Sequence, residues 1–155
     1  MAATWFDLVS EWDLASPPER VWAELTHPET WPSWWRAVRK VETIKDGDAD
    51  GVGAVRRFTW GTALPYTLSF EMTATRVEPK TFIEGRARGE LDGVGRWTLT
   101  PAGTGTHVRY DWMIEITIPW QVMLAPLLRP MFAWNHNVVM GWGHKDLKKR
   151  LGEAP

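Results

Sequence analysis

Alternation of apolar and polar residues with period two dominates this chain. It first covers Thr4–Leu14, where Phe6, Leu8, Trp12 and Leu14 share a parity. It returns over Val38–Lys45, Ala54–Trp60, Pro65–Glu78, Thr81–Gly89, Gly93–Thr100 and His107–Ile118. These are seven predicted strands. The connectors "DGDADGVG", "EPK", "GELDG" and "PAGTGT" carry the Gly, Pro and Asp chemistry of hairpin turns. Within them, Tyr66, Leu68, Phe70 and Met72 fall on one face, as do Val108, Tyr110, Trp112, Ile114, Ile116 and Ile118.

Helical spacing fills the gaps. "ASPPERVWAEL" reads as a helix start, with Ser16 as cap, Pro17 at the first helical position and Glu19 completing a capping box. Pro28 stops it, and "ETWPSWWRAV" forms a second short helix bearing Trp31, Trp34 and Trp35. After Pro119, Gln121–Leu124 makes a single turn, Pro126 and Pro130 punctuate, and a long helix runs to about Leu151 before Gly152.

The order strand, two helices, six strands, helix predicts an α+β domain over residues 1–155. A meandering antiparallel sheet must bury one face, and the C-terminal helix is the element long enough to cover it. The sheet then curls around that helix, the two short helices close one end, and a cavity is left between sheet and helix.

Composition sharpens that picture. Twelve Trp outnumber five Phe and two Tyr together. An indole is bulky, with a polar N–H, and so suits a cavity wall as well as a core. Net charge is −1, with both signs interspersed, so the basic footprint of a nucleic-acid binder is missing. The 155 residues include no Cys, which excludes disulfides and thiolate metal sites. No signal peptide and no run of roughly 20 apolar residues is visible, so the expectation is a cytoplasmic protein without integral membrane association.

Several motifs dissolve on inspection. Asp46, Asp48, Asp50 and Gly51 resemble the start of a calcium loop, but Arg57 stands where its last carboxylate should be. The three Gly-x-Gly pairs do not open helices. His136 and His144 lie about 12 Å apart along one helix and cannot share a metal. No metal and no cofactor is expected.

The segments "ASPPERVWAELTHPETWPSWW", "GVGAVRRFTW", "LPYTLSFEMT", "GVGRWTLTPAGTGTHVRYDW" and "RPMFAWNHNVVM" together resemble the polyketide cyclase/dehydrase branch of the START-like (SRPBCC) superfamily. The resemblance spans nearly the whole chain. It implies the helix-grip fold, a seven-stranded curved antiparallel sheet around a long C-terminal helix. That superfamily includes cyclases, lipid carriers and hormone receptors, and its motifs describe the scaffold without naming a universal catalytic residue.

Candidate chemistry therefore comes from the residues. Asn135 falls near the centre of the apolar arc of the long helix, His136 at its edge and Asn137 opposite. Asn135 either bonds a strand, Tyr66 or Tyr110, or anchors a ligand. His136 reaches the cavity rim or water. Trp34, Trp60, Phe70, Trp97, Trp112, Phe132 and Met140 are candidate walls. Arg57 is a candidate ligand contact if its strand turns that face inward, and the same question attaches to Glu84, Arg86 and Arg88, which otherwise form a solvated outer face.

Three functions fit. The first is binding of a small hydrophobic, lipid-like or polyketide-like molecule. The second is a cofactor-free cyclase/aromatase or dehydratase, with His136 as base and Tyr66 or Tyr110 as donor to the enolate oxygen. The third is an interaction module built on an exposed Trp patch.

Overall fold

The computed structural model describes residues 5–65 and 67–154. One antiparallel sheet carries the strands β1 (Trp5–Leu14), β2 (Val38–Lys45), β3 (Val55–Gly61), β4 (Thr67–Glu78), β5 (Phe82–Gly89), β6 (Leu91–Ala102) and β7 (Gly105–Ile116). Their order in space is β1-β7-β6-β5-β4-β3-β2. From β2 onward this is a simple meander, and β1 closes onto β7 with Phe6 opposite Ile114 and Trp12 opposite Val108. The two edges are joined in sequence by α1 (Pro18–Leu25) and a 3-10 helix over Pro28–Ser33. The concave face grips α2 (Pro119–Arg150). This is the α+β helix-grip architecture, with each strand within two residues of the position its alternation predicts at most ends.

Three local expectations need correction. Ser16 does not cap α1, whose N-cap is Pro17 with no side-chain bond. Instead the Glu153 carboxylate, arriving from the far end of the chain, accepts the Ala15 and Ser16 backbone N–H groups at 2.7 and 3.0 Å and the Ser16 hydroxyl at 2.7 Å. Burial alone would raise the Glu153 carboxyl, but these donors outweigh it and hold the group below its ordinary value. Second, "ETWPSWWRAV" yields only the 3-10 turn, because Pro28 and Pro32 leave too few N–H donors for an α-helix. Third, α2 runs unbroken through Pro126 and Pro130. Both prolines are exposed, so the carbonyls they orphan one turn earlier face water and the helix tolerates the lost bonds.

Packing divides the interior into two clusters. One gathers Trp12, Leu25, Trp35, Val108 and Leu147 between α1, the sheet and the C-terminal half of α2. The other joins Phe6, Phe70, Trp112, Ile114, Ile116 and Ala125 near the start of α2. Trp35 is the keystone of the first. It is 0% exposed and its Nε1 donates to the Val139 carbonyl at 3.1 Å.

That approach is open because residue 143 is glycine. A Cβ there would sit 2.5 Å from the Trp35 indole, which has no space to retreat. Gly143→Ala should therefore destabilise by about 1–3 kcal/mol through overpacking, against a helix-propensity gain of about 1 kcal/mol. Urea unfolding measures the net sign, and a stabilised variant would show that Trp35 is loosely held.

The outer face resolves the parity of the charged strands. Gly85 and Ala87 are buried while Arg86 and Arg88 are exposed. Glu84 accepts from Arg96 at 2.7 Å and from Thr75 at 3.0 Å. Arg57 donates to Glu71 at 2.7 Å on the same outer surface. Arg86, Arg88 and Arg57 thus lie on the solvated face, and half-buried Glu84 pairs there with Arg96 while also touching the interior.

Candidate functional site

A cavity of about 210 Å³ lies between the grip of the sheet and α2. Most of the strands reach it by the alternation of their side chains. β3 contributes Phe58 and Trp60, and β4 contributes Leu68, Phe70 and Met72. Trp97 comes from β6, with Tyr110, Trp112, Ile114 and Ile116 from β7. The helix supplies Gln121, Phe132, Asn135, His136 and Met140. The aromatic rings form a continuous chain. Phe58 stacks on Trp60 and Phe70, Phe70 meets Trp112 at 5.7 Å, and Tyr110 lies between Trp112 and Trp97, 4.2 Å from the latter.

The sequence candidates divide on this geometry. Trp60, Phe70, Trp97, Tyr110, Trp112, Phe132, Asn135, His136 and Met140 converge on the cavity. Arg57 does not, since it sits on the outer face with Glu71. Its neighbour Arg56 lines the cavity in its place, committed to Glu29 at 2.6 Å. Trp34 also stands apart, stacked behind Trp35 at 5.7 Å. Tyr66 lies outside the described residues. Trp31, Trp35 and Gln121 line the cavity without having been candidates.

Polar groups are few and unevenly satisfied. Asn135 is buried and its Oδ1 accepts the Ala63 backbone N–H at 2.8 Å, which ties α2 to the β3–β4 loop, while the expected bond to Tyr66 lies outside the described residues. Gln121, also buried, faces the cavity from the first turn of α2. The Tyr110 ring lies over Gly95, where a Cβ would fall 2.5 Å from the phenol oxygen, so glycine is what admits it. Burial pushes that phenol far above its ordinary range, and it stays protonated as a donor.

His136 is the outlier. Both of its ring nitrogens are buried with no hydrogen-bond partner among the described residues, as is Trp60 Nε1. Burial, with no charge acting on it, lowers the imidazole from 6.5 to about 4, so the ring is neutral near pH 7. An unsatisfied buried polar group costs about 1–3 kcal/mol, and here two such groups line one cavity, His136 from the helix and Trp60 from the sheet.

Formal charge is confined to the edges. Arg56 and Glu84 touch the cavity but are paired with Glu29 and Arg96, and Glu90 is exposed at the rim. Among the described residues no cluster of His, Asp or Glu is arranged to hold a metal ion, and no helix is long and apolar enough to cross a membrane.

Solved structures share this architecture at low identity. TTHA0849 from Thermus thermophilus is 18% identical with a TM-score of 0.76, over 94% of this chain and 99% of that one. A START superfamily protein from Mycobacterium smegmatis is 15% identical with a TM-score of 0.76, over 93% and 95%. The Zhui aromatase/cyclase from Streptomyces sp. R1128 is 13% identical with a TM-score of 0.74, over 94% and 93%. At such identities the likeness is one of fold. A search of curated protein sequences finds no match. The family model described as polyketide cyclase / dehydrase and lipid transport matches residues 6–152, nearly the whole length, and the chain belongs to that family.

Proposed function

We propose that this protein binds a small, uncharged, largely aromatic molecule within the grip, with one polar group of that molecule set against His136. The observation that carries this reading is the two imidazole nitrogens without a partner among the described residues, in a mostly apolar, aromatic cavity. A neutral imidazole offers one donor and one acceptor, which suits a hydroxyl or a carbonyl. Volume limits the occupant. The cavity of about 210 Å³ is somewhat larger than the roughly 150 Å³ hole that accepts one benzene. One or two fused rings fit without rearrangement. Charge limits it too, because Arg56, the cation that lines the cavity, is already paired with Glu29, and a buried carboxylate would go unpaired.

Ring closure by a cofactor-free cyclase/aromatase is the second reading. It is favoured by the family, by the similar aromatase/cyclase, and by the Tyr110 phenol lining the same cavity as His136. There Tyr110 would donate to an enolate oxygen while His136 takes an α-proton. A general base works best with a pKa near the operating pH, and His136 at about 4 is a weak one. Binding is thus the better-supported role.

Calorimetric titration with naphthalene, 1-naphthol and 1-naphthoate tests the reading. We expect 1-naphthol to saturate a single site, and naphthalene to bind about 10-fold more weakly for want of one hydrogen bond. For 1-naphthoate we expect no binding. Tighter binding of 1-naphthoate than of 1-naphthol would sink the uncharged-ligand reading, and silence from all three would sink a two-ring pocket.

A further inference from the structure

The helix that lines the cavity with one face carries a second apolar stripe on another. Met123 and Leu127 are 75% and 79% exposed, Trp120 and Trp134 54% and 52%, and Leu124 40%. Trp120, Leu127 and Trp134 recur every seven residues, with Met123 and Leu124 between them. At 100° per residue all five fall within an arc of about 100°. That is the seam spacing of a helix that packs along another helix. The inward residues Gln121, Ala125, Asn135 and Val139 lie on a separate face, so the stripe is surplus to the grip.

We propose that this stripe is the interface of a homodimer in which α2 packs antiparallel on α2 of a second copy. The proposal is independent of what the cavity holds. Area supports it, since the five side chains offer on the order of 600 Å² per copy, against about 800 Å² per partner in a standard interface. Charge supports it as well. Between Pro119 and Gly143 the sequence has one charged residue, Arg129, whose guanidinium lies 4.4 Å from the Phe6 ring centre. A two-fold axis therefore brings no like charges together along the seam, as an isologous interface requires. Symmetry fixes the register. Leu127 is midway between Trp120 and Trp134, so Leu127 meets the same residue of the second copy and each Trp120 meets a Trp134.

A lipid surface is the competing occupant. Interfacial helices pair their apolar face with a Lys/Arg-rich polar one. Outside the stripe this segment buries Gln121, Ala125 and Asn135 and exposes Val122, Pro126 and Pro130, with Arg129 its one charged residue. It therefore has no Lys/Arg-rich face, and the chain carries a net charge of −1. The observations favour the second copy.

The test uses the full chain. Sedimentation velocity over about 1–100 µM should show a concentration-dependent dimer. Met123→Glu with Leu127→Glu should weaken it by about 100-fold or more by burying charge at the seam, with an unchanged circular dichroism spectrum because both sites are exposed. The chain has no cysteine, so Leu127→Cys introduces a single thiol that should oxidise to a disulfide-linked dimer. Ala49→Cys, in the exposed β2–β3 turn, should not. A parent that stays monomeric while Leu127→Cys oxidises no faster than Ala49→Cys would overturn the proposal. So would a dimer that survives both glutamates, or a monomer that sediments with phosphatidylcholine vesicles.

Discussion

His136→Leu is expected to stabilise the ligand-free protein and to weaken its hold on 1-naphthol. Leucine has nearly the volume of histidine and removes two buried nitrogens that find no partner among the described residues. The gain at neutral pH should be about 1–3 kcal/mol. Acid enlarges it. The imidazole titrates at about 4 in the folded chain and at 6.5 when unperturbed. Below pH 6.5 the unfolded chain therefore takes up a proton that the folded chain refuses, and stability falls until pH reaches about 4. The full loss is on the order of 3 kcal/mol, and the leucine variant should not suffer it. Paired carboxylates such as Glu29, Asp146 and Glu153 also lose stability in acid, but equally in both proteins. Urea unfolding of parent and variant at pH 7.5 and 4.5 gives the difference directly. Equal pH slopes would mean that the imidazole is satisfied in solution, and the proposed anchor would fall with it. A stabilised variant that also binds 1-naphthol at least 10-fold more weakly would place His136 among residues held at the expense of stability for the sake of a ligand.

The sheet was legible because period-two alternation is enforced by burial of one face. Leu68, Phe70 and Met72 line the cavity as their parity predicts, since the irregularity in β4 comes later, between Ala74 and Arg76. Arg57 was ambiguous for a related reason. Arg56 and Arg57 are chemically identical, and only the pairing of β3 with β4 shows which one faces inward. Long-range contacts were invisible altogether. Glu153 lies 137 residues from Ser16, and nothing local distinguishes its carboxylate from that of Glu19, expected to complete a capping box with Ser16 as the cap. The largest loss came from Pro126 and Pro130. A helix expected to be punctuated at them hides the face that runs Gln121, Ala125, Asn135, Val139, and with it Gln121 as a cavity residue. The same assumption hides the seven-residue spacing from Trp120 to Trp134. What the sequence could not weigh is that both prolines sit on the wet side of the helix, where water replaces the missing bonds.

Trp35→Ala should cost about 3–5 kcal/mol, a large share of the 5–15 kcal/mol that holds a domain of this kind together. The ring is fully buried, with its centre 5.0–5.7 Å from those of Trp12, Trp31, Trp34 and Trp60. Trp35→Phe keeps part of the ring but loses the bond to the Val139 carbonyl, and should cost about 1–3 kcal/mol. Trp60→Phe should cost less, because the indole N–H it deletes is buried without a partner among the described residues. Chemical denaturation of the three variants orders them. Titration with 1-naphthol then separates two uses of the same residue type. Trp60 stands in the cavity wall at the aromatic chain, and its replacement should change affinity. Trp35 touches the cavity from behind while locking α2 through Val139 and Gly143, and Trp35→Phe should leave affinity near that of the parent once folded. If the two phenylalanine variants instead match in both stability and affinity, the tryptophans form one undivided wall. The abundance of tryptophan would then follow from the ligand alone, without a structural share.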